Sequence, residues 1–304
     1  MGAWDKSSAG GALGRPRFYT NPQFTLVLTQ PKTRIHLEVR APKDYQINAT
    51  VVSEGGTRVD SVSSEREALT SGAYRQGFCY AEGVLSAGTY TVIVSTYKPG
   101  QIGGFAVKLC TTSPVRAPSR IPQEGEGMAS KQLVHGRWRE ADGSAAGCGN
   151  FGRYLDNPRY LFAVPSRATL LLRVAVPEEN SGALPGGRPA VNVTLFPTTR
   201  EETAAGGGGA GGGDDDDLQG APPDRHHPGR ITLDPRCKPT SASALASSNG
   251  GVYMDSSAGA VTEAVEVEAG EYVAVVSSFS PQEADFVLTI YSTPTLARVQ
   301  RMMA

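Results

Sequence analysis

The sequence predicts an all-β chain folded as two tandem antiparallel β-sandwich domains. Three observations carry that expectation. Short runs rich in Val, Leu, Thr and Tyr recur between Gly, Pro, Ser and Asp clusters. Within several of those runs apolar and polar residues alternate, and one set of motifs occurs twice. The 304 residues include 36 Gly and 21 Pro, and long apolar stretches with helical spacing are absent.

In the first half, Ile35, Leu37 and Val39 alternate with Arg34, His36, Glu38 and Arg40, the period-2 pattern of a half-buried strand. Ahead of it stands Asn21-Pro22, and a residue before proline is held in extended or turn backbone. Further on, Ala87-Gly88-Thr89-Tyr90 sets a glycine turn before a strand whose aromatic opens the buried face. The second half repeats these elements: Asn157-Pro158, then Leu170, Leu172, Val174 and Val176 in alternation, then Ala269-Gly270-Glu271-Tyr272. Val191-Asn-Val193-Thr-Leu195 adds a further strand. Each half holds enough strands for a two-sheet sandwich of roughly 100 residues.

The correspondence keeps register. Gly2-Ala-Trp4, Ser8-Ala-Gly-Gly11 and Tyr19-Thr-Asn21-Pro22-Gln23-Phe24 open the first copy. Gly136-Arg-Trp138, Ser144-Ala-Ala-Gly147 and Tyr154-Leu-Asp-Asn157-Pro158-Arg159-Tyr160 open the second. Ser8 to Ser144 and Asn21 to Asn157 share one offset, 136. At the back, Gly88 and Tyr90 match Gly270 and Tyr272 at an offset of 182, so the second copy holds about 46 further residues (182 minus 136). They fall at about 201–229, in a glycine run, four aspartates and a Pro-rich segment. Such a stretch buries too little apolar surface to offset its ordering entropy, and is expected to be a disordered insertion. The expected organisation is a domain over 1–112, a Pro-containing linker over 113–131, a second domain over 132–293 and a tail over 294–304.

Net charge is −1 but uneven: residues 1–135 carry 15 basic against 10 acidic side chains, and residues 136–304 carry 14 against 20. Neither half has the dense basic patch that nucleic acid requires, so nucleic acid is not an expected partner. Cys79, Cys110, Cys148 and Cys237 stand at irregular spacing without a CxxC pair and read as reduced, buried thiols. No apolar signal segment opens the chain, and no run approaches the roughly 20 apolar residues of a membrane span. A cytoplasmic protein is expected. Asn48-Ala-Thr50 and Asn192-Val-Thr194 fit the glycosylation acceptor pattern and are read as chance matches.

The repeated order of Trp, small-Ala-Gly, Asn-Pro-x-aromatic and Ala-Gly-x-Tyr resembles the β-sandwich that follows the protease core in calpains, domain III. Trp138, Ala146-Gly147-Cys148, Asn150 and Asn157-Pro158 stand where that family carries Trp, Ala-Gly-Gly-Cys-x-Asn and Asn-Pro. The first copy has Ala12 in place of the cysteine, while Ser95-Thr96-Tyr97-Lys98-Pro99-Gly100-Gln101 matches the back of the module. Two such modules in tandem with no EF-hand loop after them are similar to the atypical, PalB-like calpains. That resemblance implies a part in proteolytic alkaline-pH signalling. It implies the protease core and ESCRT-III-type endosomal machinery as protein partners, and an endosome-associated location in the cytoplasm. Structural roles are implied for Trp4, Asn21, Pro22, Gly88, Tyr90, Trp138, Cys148, Asn157, Pro158, Gly270 and Tyr272.

A papain-like centre needs a low-pKa Cys beside a His that an Asn orients. His36 sits on a strand, His135 precedes the second domain, and His226 and His227 lie in the insertion. The family's Gln…Cys and His…Asn signatures do not occur, so no catalytic residue is assigned. The chain reads as the C-terminal part of a calpain-type cysteine endopeptidase, a truncated version of one, or a protein that has lost its protease. No cofactor or metal site is assigned; Asp214, Asp215, Asp216 and Asp217 are weak calcium candidates, since ordering a glycine-flanked run costs entropy. Lys32, Arg34, Arg40 and Lys43 flank the early strands and are the candidates for contact with anionic lipid or a partner. The expected function is a non-catalytic regulatory tandem of a calpain-like cysteine protease, positioning partner, substrate or membrane. The alternative is a free-standing calcium- or phospholipid-binding sandwich.

Overall fold

Alternating runs become strands whose apolar side chains share one face. A computed structural model describes residues 1–177, 187–200, 231–232 and 244–302. Among them the regular structure is strand, with four short 3₁₀ turns and no α-helix. The expected insertion at 201–229, with Asp214 to Asp217, His226 and His227, lies outside the described residues, as does Cys237.

The first half contributes β1 (Gly2–Trp4), β2 (Gln23–Leu28), β3 (Thr33–Arg40), β4 (Gln46–Val52) and β5 (Glu67–Thr70). It continues with β6 (Arg75–Gln76), β7 (Phe78–Leu85), β8 (Gly88–Thr96), β9 (Gly103–Thr111) and β10 (Ser119–Arg120). The second half contributes β11 (Ser130–Trp138), β12 (Arg159–Val164), β13 (Ala168–Ala175), β14 (Val191–Pro197), β15 (Thr199–Arg200) and β16 (Ile231–Thr232). Then come β17 (Ala246–Ser247), β18 (Ala260–Val261), β19 (Val265–Val267), β20 (Gly270–Ser278), β21 (Ala284–Ser292) and β22 (Gln300–Met302).

Every pairing between these strands is antiparallel, and the two halves share one topology. The order β1-β9-β3-β7 faces β10-β2-β8-β4-β5 in the first. In the second, β11-β21-β13-β18 faces β22-β12-β20-β14-β17. Inward residues of each facing pair fill a separate core. Leu26, Ile35, Leu37, Val39, Ile47, Val94 and Phe105 belong to one, and Tyr160, Leu170, Leu172, Val174, Val193, Phe286 and Leu288 to the other. Sandwich packing of this kind is what alternation along β3 and β13 demands.

The repeated motifs occupy matching places. Trp4 and Trp138 are buried at 1% and 0% exposure. Trp4 Nε1 donates to Val94 O at 3.1 Å and Trp138 Nε1 to Val276 O at 2.9 Å. Their rings lie 4.5 Å from Phe105 and 4.4 Å from Phe286, at 45° in both cases. Asn21 Nδ2 donates to Gly11 O and Phe18 O, and Asn157 Nδ2 to Gly147 O and Tyr154 O, so each amide pins a glycine loop over the 3₁₀ turn before its proline. Pro22 and Pro158 then start the strand on a residue that needs no N–H partner. Behind Gly88 and Gly270, Tyr90 OH donates to Ser86 O and Tyr272 OH to Glu268 O, closing both turns alike.

The two Asn-x-Thr triplets also correspond. Thr50 Oγ1 donates to Asn48 Oδ1 at 2.8 Å and Thr194 Oγ1 to Asn192 Oδ1 at 2.9 Å, on β4 and β14. Asn48 and Asn192 are buried at 5% and 0% exposure. These triplets are a repeated internal bond, and the folded strands withhold their amides from a glycosyl donor.

The thiols divide by face. Cys79 is inward on β7 and burial pushes its thiol up, Cys148 is buried beneath its turn, and Cys110 is exposed on the outer face of β9, against the expectation of burial. Under native conditions a small thiol reagent is expected to label Cys110 first, with Cys79 and Cys148 modified only on unfolding. Peptide mass mapping of the labelled chain checks this, and early label on Cys148 would contradict the burial of that turn.

Candidate functional site

A dense polar cluster sits where the two sandwiches meet, and an arginine organises it. On β13 the residues Leu170, Leu172 and Val174 point into the core, so Arg173 must point out. An outward arginine ordinarily reaches water. Arg173 is nonetheless 2% exposed, because residues from the first half and from the stretch between the halves close over it.

Its guanidinium is fully engaged. Nε donates to Glu124 Oε1 and Oε2 at 2.9 and 2.8 Å, and Nη2 to Glu124 Oε2 at 2.5 Å. Nη2 also donates to Asp60 Oδ2 at 2.9 Å, and Nη1 to Ala258 O at 2.7 Å. The Tyr19 ring lies beneath, 3.9 Å from Cζ to the ring centroid, a cation–π contact. Burial works against the arginine's charge, yet Asp60 and Glu124 more than reverse it and raise its pKa. The Tyr19 hydroxyl is pushed up chiefly by burial. Four separate parts of the sequence, at Tyr19, Asp60, Glu124 and Ala258, thus meet at one side chain of β13.

Each partner is held by its own surroundings. Asp60 follows Val59, whose backbone exchanges two 2.8 Å hydrogen bonds with the Gln23 amide. Arg58 donates to Pro122 O, Tyr19 O and Ile121 O, fastening the same loop to β10. Burial lowers the Arg58 pKa to about 10, against the pull of Glu124 and Asp60. Glu124 is placed by a turn in which Arg120 grips Glu126 at 2.7 Å through both oxygens and Gln123 Nε2 donates to Thr20 O. The next residue, Gly125, has φ +70, and a Cβ there would meet the Tyr291 ring at 2.1 Å. Glycine lets the turn lie flat on β21. Gly259 plays the same part beside Ala258: its Cβ would meet Val174 O at 1.9 Å.

Beside the cluster opens a cleft of about 400 Å³ with walls from both sandwiches, among them Glu54, Arg66, Leu171 and Met254. It offers charges of both signs. Among the described residues no group of three or more His, Cys, Asp or Glu side chains is placed to hold a metal ion.

The lipid candidates lie elsewhere. Arg34 and Arg40 stand at opposite ends of β3, 3.7 Å from Glu82 and 3.6 Å from Glu38 respectively, and Arg40 also lies over the Phe78 ring. Lys32 and Lys43 are exposed in the flanking turns. The strand separates these cations and glutamates answer two of them. Arg173, Asp60, Glu124 and Arg58 belong to no motif of the sequence, and Tyr19 figures there only in the repeated Asn-Pro segment. A signal for the buried face existed in Leu171 and Tyr291, two apolar residues at outward positions that pair across β13 and β21.

The sequence has relatives among known proteins. Over 297 residues, 95% of the chain, it is 29% identical to the calpain-like protease palB/RIM13 of Cryptococcus neoformans. The chain is similar to a calpain-like protease along nearly its whole length. It is also 36% identical over 131 residues to the calpain-like protease palB of Emericella nidulans, and 32% identical over 119 residues to calpain-7 of Mus musculus. Those matches take in 42% and 38% of the chain. The chain spans under a third of the length of these curated relatives: 30%, 15% and 14% in the same order. No protein-family model matches it.

Proposed function

We propose that the chain is the non-catalytic, positioning tandem of a calpain-like cysteine protease, with both sandwiches of the domain III type. The observation that carries this reading is the buried Arg173 cluster. It fixes two binding modules in one orientation, which is what a scaffold that presents a substrate or partner to a protease core requires. The likeness to the palB proteases supports a place in alkaline-pH signalling, with ESCRT-III-type endosomal machinery and the protease core as partners at an endosomal surface in the cytoplasm. The pairing of Arg34 and Arg40 with glutamates weighs against the free-standing phospholipid-binding alternative.

The test is a chimera in which the matching segment of the Cryptococcus neoformans relative is replaced by this chain. Restored processing at alkaline pH, together with loss of processing when the segment is deleted, is the expected result. A chimera that hydrolyses peptides yet processes nothing would overturn the positioning role. Calcium-dependent binding of the isolated chain to anionic liposomes would favour the alternative.

A further inference from the structure

The β1-β9-β3-β7 sheet ends in a strand that has a partner on one side only. β7 pairs with β3 along its whole length and lies at the opposite edge of the sheet from β1. Just beyond that ladder Ala41 N donates to Gly77 O at 3.0 Å, so those two residues form a hydrogen-bonded pair. Bonded and non-bonded pairs alternate in an antiparallel ladder, so Cys79, Ala81, Gly83 and Leu85 direct their main-chain groups at β3. The N–H and C=O groups of Phe78, Tyr80, Glu82 and Val84 therefore point away from it. Among the described residues no strand meets them there. In the second sandwich the same edge is broken into β18 and β19, which are two and three residues long.

The side chains at those four positions are not those of an ordinary solvated face, which is polar. Phe78, Tyr80 and Val84 are 37%, 45% and 55% exposed, while Cys79 and Ala81 between them are buried. Residues of β3 brace the two rings. Arg40 Cζ lies 4.8 Å from the Phe78 centroid, and the His36 ring stacks on Tyr80 at 5.6 Å and 25°. Glu82 is answered within the chain, by Arg34 at 3.7 Å and by His36 at 3.4 Å. A regular eight-residue edge with free main-chain groups and apolar outward side chains is a template for strand addition.

We infer that β7 is a self-association edge, on which β7 of a second copy of this chain adds antiparallel about a two-fold axis at Ala81. The strand's own sequence selects this occupant. Only registers that set Phe78, Tyr80, Glu82 and Val84 against one another use the free main-chain groups. With the axis at Ala81, Phe78 meets Val84 of the second copy and Tyr80 meets Glu82 of the second copy, each contact occurring twice. Aromatic against β-branched is a favourable cross-strand pair. On the inward side Ala81 meets its own copy and Cys79 meets glycine, so no bulky pair crowds the seam. The neighbouring registers set Glu82 against Glu82, or Phe78 against Glu82, and each loses the Phe–Val match. The Arg173 junction draws on Tyr19, Asp60 and Glu124, none of them on this sheet, so the two contacts do not compete.

The test follows the full chain by sedimentation and by residue-resolved amide hydrogen exchange as its concentration rises from micromolar to millimolar. Monomer is expected to give way to dimer. Exchange at Phe78, Tyr80, Glu82 and Val84 should slow at least tenfold, with little change at the β3-bonded amides between them. Tyr80→Glu sets two carboxylates opposite each other and should weaken association at least tenfold. Tyr80→Lys loses the same ring but faces Glu82, and should stay within about threefold of the parent. Tyr80 is an exposed side chain, so both variants should keep the fold, which circular dichroism checks. A chain that stays monomeric at millimolar concentration with those four amides open would overturn the assignment and leave the edge to a different polypeptide. So would protection that does not depend on concentration, association that Tyr80→Glu leaves unaltered, or equal weakening by both variants.

Discussion

Arg173→Ala is expected to destabilise the chain by about 3–5 kcal/mol, the cost of breaking a buried ion pair and leaving its partners uncompensated. Glu124 is the partner most exposed to that loss, because its side chain is 7% accessible, against 26% for Asp60. Denaturant unfolding measures the loss, and a second signature separates this role from ordinary packing. With the cluster intact the two sandwiches should unfold in one transition; without it they should part into two. Arg173→Met combined with Glu124→Leu and Asp60→Asn should recover much of the lost stability, since exchanging a buried ionic group for apolar residues of similar volume is often neutral. If Arg173→Ala costs under about 1 kcal/mol, as an exposed ion pair would, the cluster does not fasten the sandwiches.

The second large effect belongs to the tryptophans. Trp4→Ala and Trp138→Ala should each cost about 3–5 kcal/mol, as the removal of a large core aromatic does. Each ring is buried against a phenylalanine and its indole N–H is satisfied by a carbonyl of the facing sheet, Val94 O or Val276 O. Because the chain has two tryptophans, one per sandwich, either variant leaves a fluorescent reporter in the other sandwich. With the Arg173 cluster intact in both variants, Trp4→Ala should shift the transition seen by far-ultraviolet circular dichroism and that seen from Trp138 equally. Unequal shifts would mean that the two cores unfold separately.

Much of this architecture was legible in the residues. Alternation at Ile35, Leu37 and Val39, and at Leu170, Leu172 and Val174, declares strands with one buried face, and the shared offset of Ser8/Ser144 and Asn21/Asn157 declares the duplication. Asn-Pro and Gly-x-Tyr are legible because each residue type does local work there: an amide pins a loop, a proline starts a strand, a tyrosine closes a turn. The junction is another matter. An arginine at an outward strand position and acids in turns look the same in sequence whether water or protein covers them. Asp60 and Glu124 lie 113 and 49 residues from Arg173, so nothing local joins them. Net charge even points the wrong way, since the basic half supplies Asp60 and the acidic half supplies the arginine. Cys110 escaped for a related reason: a thiol is small enough for either face of a strand, and only the register of β9 against β3 turns it outward.

The central proposition is that one buried guanidinium holds twin sandwiches in a single orientation. Residual dipolar couplings of the backbone amides test it most directly. One alignment tensor should describe residues 2–111 and 130–302 together in the intact chain, and two should be needed after Arg173→Ala. Two independent tensors in the unaltered chain would contradict it.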